Sequence, residues 1–255
     1  MGVARDMGTV AVYSLKGGVG KTTIAVNLTW AAAHQSARRT LLWDLDPQGA
    51  ASYLIGAPGT PGISAEAIFS RSVAPSHYIR PSTVAGVDLL GASASLRALD
   101  RFLEDLAKKK RLARLIEGLR KDYDRIILDC PPGLHETGEQ ILRAADIVAV
   151  PVIPSPLAER ALDEMIQTLS RLKGADGAII PIYSMVDQRR ALHRTATDAR
   201  PSWPAIPMAS AVEQMGVERA PVHAFAPRSN AGQAFSELWR VIEQRLSGAK
   251  PLRGH

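Results

Sequence analysis

The stretch Lys16-Gly17-Gly18-Val19-Gly20-Lys21-Thr22-Thr23 decides how the rest of this chain is read. It follows a short apolar run with β character, residues 9–14, and opens a helical pattern over residues 22–34. A glycine-rich turn between a strand and a helix is a phosphate cradle. Its glycines let backbone N–H groups converge on an anion, and the helix start adds partial positive charge. In such a loop Lys21 reaches the outer phosphates and the Thr22 hydroxyl ligates Mg²⁺. The residues around them, Gly17, Gly18, Val19, Gly20 and Thr23, form the cradle itself. The usual G-x-x-x-x-G-K-[ST] spacing places its first glycine where Leu15 stands, and a second lysine, Lys16, opens the loop instead. One lysine suffices to neutralise a bound phosphate, so Lys16 needs a separate reason.

The chain has 255 residues, enough for one large α/β domain or two small ones. It is 46% hydrophobic and 22% charged, as expected of a globular protein with a full core. No apolar run reaches the length of a membrane-spanning helix, and residues 1–7 lack the apolar core of a secretion signal. The single cysteine, Cys130, excludes an internal disulfide and a four-cysteine metal site, and it fits a reducing cytoplasm. Thirty-one Lys and Arg against 25 Asp and Glu give +6, which is compatible with an anionic partner such as nucleic acid.

Apolar runs alternate with helical patterns along most of the length. Strands are expected at residues 9–14, 40–43, 87–90, 125–129, 147–152, 178–186 and 205–206. Helices are expected at residues 22–34, 93–118, 139–144, 158–172, 189–199, 211–215 and 229–246. The stretch 56–81 reads as a surface wrap with a short helix at residues 65–70. Several strands are apolar throughout rather than alternating, the pattern of parallel strands covered on both faces. The expected fold is α/β: one doubly wound, mostly parallel sheet of the P-loop NTPase kind, with helices on both faces.

Ligands in such sheets bind beyond the carboxyl ends of the strands. The strand at 40–43 runs into Asp44-Leu45-Asp46-Pro47-Gln48-Gly49, and that at 125–129 ends in Asp129-Cys130-Pro131-Pro132-Gly133. An apolar strand ending in aspartate is the expected second half of a phosphate-loop site, its carboxylate holding Mg²⁺ through water. Asp129 is assigned that role. Asp46 is assigned the attacking water, and Asp44 the metal's water shell or a supporting contact.

With these residues in hand, the chain resembles the ParA/MinD family of P-loop ATPases that carry a deviant Walker A loop. Lys16 to Thr23 matches that family's K-G-G-x-G-K-[ST]-T motif in full, Asp44 to Gly49 resembles switch I of its ParA, Soj-like branch, and Leu128 to Pro132 resembles Walker B and the start of switch II. Met185-Val186-Asp187-Gln188-Arg189 and Phe225-Ala226-Pro227-Arg228-Ser229 are also similar to ParA segments. The resemblance covers residues 9–246 as one ATPase domain, with tails at 1–8 and 247–255. It implies ATP and Mg²⁺ as ligands, and slow hydrolysis without a partner. Lys16 would reach the phosphates of a second subunit's ATP, so that the nucleotide becomes the joint of a homodimer. A triphosphate facing another subunit carries charge that only a cation from that subunit neutralises there. Met185, Asp187 and Pro207 are implicated in the adenine pocket. The partners implied are non-specific DNA and a ParB-like or cargo-adaptor protein, in a cytoplasmic, nucleoid-associated setting, with no membrane. Eight residues before the first strand leave no room for a helix-turn-helix domain.

The chain departs from the family after Ile206-Pro207, where Met208-Ala209-Ser210 replaces the usual arginine. The remaining basic candidates for DNA are Arg189, Arg190, Arg194, Arg219, Arg228, Arg240, Arg245 and Lys250. Lys108-Lys109-Lys110-Arg111 reads as a charged helical face, and Arg160 as a candidate interface residue. His34, His77, His135, His193 and His223 show no metal-ligand spacing. Two alternatives stay open. A MinD-like membrane ATPase would use the stripe Phe235, Leu238, Trp239, Ile242 and Leu246. A metabolic ligase would share the loop, but Asp44-Leu45-Asp46-Pro47-Gln48 belongs to the ParA branch.

Overall fold

Strands buried at every residue, as those at Gly8–Val12, Thr40–Asp44, Arg125–Asp129 and Ile147–Val152 are, need cover on both faces, and the computed structural model shows how this chain supplies it. The structure describes residues 6–57, 75–92, 111–133, 136–171 and 178–248. In chain order the elements are β1 (Gly8–Val12), α1 (Lys21–Gln35), β2 (Thr40–Asp44), α2 (Ala50–Ile55), a 3-10 turn (Pro75–His77), β3 (Arg80–Pro81) and β4 (Val87–Leu90). There follow α3 (Arg111–Leu119), β5 (Arg125–Asp129), α4 (Glu136–Ala144), β6 (Ile147–Val152), α5 (Pro156–Arg171) and β7 (Ala178–Val186). The last are α6 (Ala191–Ala199), β8 (Ala205–Pro207), α7 (Ser210–Glu218), α8 (Val222–Phe225) and α9 (Asn230–Leu246).

The strands form one sheet in the order β3-β4-β2-β5-β1-β6-β7-β8. Every pairing is parallel except β3 with β4. The sheet splits its side chains by the period of two. Ala11, Leu41, Trp43, Ile126 and Leu128 pack with Leu112, Ile116, Ile141 and Leu162 of α3, α4 and α5. Val10, Val12, Leu42 and Ile127 pack with Ile24, Leu28, Phe235 and Trp239 of α1 and α9 on the other face. The expected α/β sheet with helices on both faces is therefore the fold.

All seven expected strands are present: four, β4 to β7, have the expected bounds, and β1, β2 and β8 have ends displaced by one or two residues. Four of the described elements were not anticipated: α2, α8, the 3-10 turn and the two-residue antiparallel strand β3. The helix expected at 65–70 lies outside the described residues, as do residues 93–110 of the helix expected at 93–118.

The apolar stripe on α9 has an occupant. Phe235, Leu238, Trp239 and Ile242 are all buried within the core. Leu246 presses on Gly8, where an added Cβ would stand 2.7 Å from its Cδ2. The Ser229 hydroxyl caps the helix by accepting from the Gly232 N–H at 3.1 Å. Among the described residues no helix is long and apolar enough to cross a membrane.

At the amino edge of the sheet, the fully buried Arg125 holds Glu243 of α9 through two bonds of 2.7 Å. Its Nη2 also reaches Asp6 at 3.1 Å, and Arg38 bonds Asp6 at 2.7 Å and Glu243 at 2.9 Å. The group ties β5, the loop between α1 and β2, α9 and the first described residues together. Removing one member of a buried ion network leaves the others uncompensated, at a cost of about 3–5 kcal/mol. Arg125→Ala is expected to lower stability by roughly that amount in urea unfolding, and a loss below about 1 kcal/mol would contradict the role.

Candidate nucleotide-binding site

The register places three chemically distinct strand ends side by side. Val12 of β1 and Asp44 of β2 both pair with Asp129 of β5. The loop after β1 therefore opens beside the Asp129 carboxylate, with Asp44 on its other flank.

The loop is built to expose backbone. Gly18 and Gly20 have φ of 70° and 90°, the left-handed region that side chains avoid. A Cβ on Gly20 would also stand 3.0 Å from the Ser184 Oγ. Gly20 caps α1 without any side-chain cap, and the first turn of α1 holds no acidic residue. The first N–H groups of that helix are thus left for an anion. Val19 is buried and anchors the loop, while Thr22 and Thr23 are half-buried in the first turn.

The two lysines sit in opposite surroundings. Lys21 is only 7% exposed, and its Nζ donates to the Lys16 carbonyl at 3.1 Å across the loop. Burial lowers its pKa, opposed by the charges of Asp129 and Asp46. Lys16 is exposed, with its Nζ 3.5 Å from the Leu157 carbonyl in the first turn of α5.

The two strand-end aspartates also differ. Both are fully buried. Asp44 is occupied by the protein: its Oδ2 accepts the Ser52 N–H at 2.8 Å and the Ser52 hydroxyl at 2.7 Å, and its Oδ1 accepts the Asp46 N–H at 3.2 Å. Burial pushes its pKa up to about 6, against the pull of the Ser52 bonds. Among the described residues, Asp129 has no hydrogen-bond partner on either oxygen. Burial, then the Asp44 charge, hold its pKa well above the carboxylate range; the Thr22 hydroxyl nearby acts the other way without completing a bond. An unpartnered buried carboxylate is costly, so these oxygens fit a hard cation with its own waters. Among the described residues no group of three or more His, Cys, Asp or Glu could hold a metal ion alone. A magnesium shared with phosphates needs no such group.

Asp46 is half-buried, and its Oδ1 accepts the Gln48 N–H at 2.9 Å. Met185, Asp187 and Pro207 meet at the adjoining ends of β7 and β8, where Val186 pairs with Pro207. Met185 has a φ of 55°, and its Cε comes within 3.9 Å of a Cβ built on Gly20, which puts it beside the loop. The Asp187 carboxylate is taken by Arg189 at 2.9 Å and Arg190 at 3.5 Å. The Arg189 bonds hold its pKa down at about 2.

Three residues near the loop escaped the sequence reading. Ser52 holds Asp44, Ser184 backs Gly20, and the Tyr13 hydroxyl donates to the Gly133 carbonyl at 2.6 Å. No spacing pattern marks any of them. His193 accepts the Asp187 N–H at 3.0 Å, a structural bond. Arg160 pairs with Glu164 on its own helix at 3.0 Å. His135 and residues 108–110 lie outside the described residues.

A parallel sheet, a lysine-bearing glycine loop after its first strand and an aspartate ending the adjoining strand define a P-loop NTPase. A family model described as an AAA domain matches residues 7–180. The chain belongs to that family, in its ParA/MinD group of P-loop ATPases. It is 29% identical over 260 residues to the chromosome partitioning protein ParA of Caulobacter vibrioides, covering 95% of this chain and 96% of that one. Apo McdA from Cyanothece superposes with a TM-score of 0.80 at 20% identity, over 92% of this chain and 99% of McdA. A cobyrinic acid a,c-diamide synthase from Mycobacterium smegmatis, with bound ADP and magnesium, gives 0.77 at 26% identity, over 95% and 96%.

The raised Asp129 pKa has a measurable sign. The folded chain holds that proton more tightly than the unfolded chain, so stability falls as pH rises above about 4, where the unfolded carboxylate ionises. Asp129→Asn removes that loss. In EDTA the variant should melt above the parent protein at about pH 7.5, with the gap closing toward about pH 4.5. An unchanged or lower melting temperature at the higher pH would contradict the strained carboxylate.

Proposed function

We propose that this chain is a ParA-type positioning ATPase. It binds ATP with Mg²⁺, closes as a homodimer around the nucleotide, holds DNA non-specifically and lets go on hydrolysis stimulated by a cargo-bound partner. The observation that carries this reading is the division of the two loop lysines. Lys21 is buried and turned into its own loop, while Lys16 is exposed beside α5. A single-subunit site has no use for the outward lysine.

The residues divide the chemistry as follows. The cradle Gly17 to Thr23 donates N–H groups to the phosphates, and Lys21 neutralises the outer ones. Bound Mg²⁺, held by the Thr22 hydroxyl and through water by Asp129, would offset charge on the phosphate oxygens. Asp44 takes the supporting role, because its oxygens are already filled by Ser52 and Asp46. Asp46 positions the water that attacks the γ-phosphorus, and Lys16 from the second subunit meets the charge that develops there. Met185 and Pro207 line the base side. Asp187, with its carboxylate committed to arginines, offers the base its backbone rather than its charge.

DNA binding rests on the net charge of +6 and on arginines with no acidic partner. Arg189, Arg190 and Arg240 are paired with carboxylates, and Arg219 caps α2 through the Tyr53 carbonyl at 3.0 Å. Arg194 donates to the Gln188 carbonyl at 2.7 Å. Arg228 and Arg245 are exposed and make no ion pair among the described residues, so they are the better contacts; Lys250 lies outside those residues. The membrane alternative loses its basis, because the α9 stripe is spent on the core. The likeness to a diamide synthase keeps a ligase as the second reading.

Lys16→Ala should bind ATP with affinity of the same order, fail to form ATP-dependent dimers in sedimentation, and hydrolyse about 100-fold more slowly. Normal ATP-dependent dimers of that variant would sink the reading. In mobility shifts the parent protein should hold DNA more tightly with ATP than with ADP or no nucleotide. No gain with ATP, together with ADP release that depends on a small metabolite, would favour the ligase.

A further inference from the structure

Asp46, assigned the attacking water, sits on a turn with two backbone bonds: the Leu45 N–H donates to the Asp129 carbonyl and the Gly49 N–H to the Asp46 carbonyl, each at 2.9 Å. Its side chain accepts one local N–H, from Gln48, and its backbone N–H reaches back to Asp44 at 3.2 Å. The Asp46 N–H itself is held by the Asp44 carboxylate, so where that carboxylate points bears on the placement of Asp46. Asp44 gets its orientation from one residue. Ser52 donates both its N–H, at 2.8 Å, and its hydroxyl, at 2.7 Å, to the same oxygen, Oδ2, leaving Oδ1 turned toward Asp46.

The Ser52 hydroxyl is itself fixed. It accepts the Ala92 N–H at 2.8 Å, at the exit of β4. With that lone pair engaged, its only proton goes to Asp44. The chain of contacts runs from the end of β4, through Ser52 on α2, to Asp44 at the end of β2 and on to Asp46. The short helix α2 thus serves as the bracket of the loop that precedes it.

We infer that Ser52 is a positioning residue for hydrolysis, acting through Asp44 to hold Asp46 at the attacking water. This deepens the ATPase reading proposed above and rests on it. Ser52 touches no phosphate in this role, so its loss should spare nucleotide binding and slow the chemical step.

The plain alternative is a serine that only stabilises α2. The two differ in what a hydroxyl deletion does to catalysis by folded protein. Ser52→Ala should leave the KM for ATP within about twofold and lower kcat about tenfold. Ser52→Thr, which keeps the hydroxyl that donates to Asp44, should restore kcat. In an Asp46→Ala background the Ser52→Ala change should cost nothing further, because Ser52 acts through that residue. Ser52→Cys, nearly the same size with a weaker donor, serves if the alanine variant folds poorly, and should show the same lowered kcat at unchanged KM. A parental kcat in folded Ser52→Ala or Ser52→Cys, or a further loss in the Asp46→Ala background, overturns the inference while the ATPase reading stands. Absence of ATP turnover by the parent protein would strike that reading instead.

Discussion

Everything at this site depends on a pair of carboxylates that the sheet forces together. Asp44 and Asp129 are register partners at the carboxyl ends of β2 and β5, and both are fully buried. Like charges that close in a dry setting raise each other's cost. The chain resolves the conflict asymmetrically. Ser52 satisfies Asp44 with two donors, while Asp129 has none among the described residues. One acid thereby becomes part of the scaffold, and the other keeps the unfilled oxygens at which the proposed cation would relieve strain.

The same asymmetry recurs in the loop. Lys21 and Lys16 are five residues apart, yet one is buried against a carbonyl and the other stands in solvent. The buried lysine sits in the field of Asp129 and Asp46, completing the charge balance within one subunit. Among the described residues, the exposed lysine's Nζ reaches the Leu157 carbonyl, at 3.5 Å. A cation with so little to hold it is free to serve a neighbour's anion, and that freedom is the physical basis of the dimer reading.

Much of this was legible before any coordinates. Strands buried on both faces announce themselves as unbroken apolar runs, so β1, β2, β5 and β6 stood out, and the loop and both aspartates followed from where those runs end. The short elements did not stand out. β3 is two residues long, and α2 is six residues that begin at a glycine without a side-chain cap. The differing duties of Asp44 and Asp129 were illegible for a deeper reason. As sequence they are the same residue at the same kind of strand end. Their difference comes from Ser52, eight residues beyond Asp44, which only the folding of α2 back onto β2 brings into contact. Likewise nothing in the sequence told which oxygens of Asp187 were free; Arg189 and Arg190 close on it only through the local turn.

The claim at the centre of this account is that Lys16 acts on the nucleotide of another subunit, while Asp46 acts on its own. Mixing two inactive variants tests it directly. A pair made of one Lys16→Ala chain and one Asp46→Ala chain contains one composite site with both residues intact, provided the lysine comes from across the interface. Phosphate release in a single turnover should therefore reappear when the two purified variants are combined with ATP and Mg²⁺, though neither shows it alone. If the mixture stays as inactive as its components while the parent protein turns over, Lys16 serves its own subunit and the account is wrong.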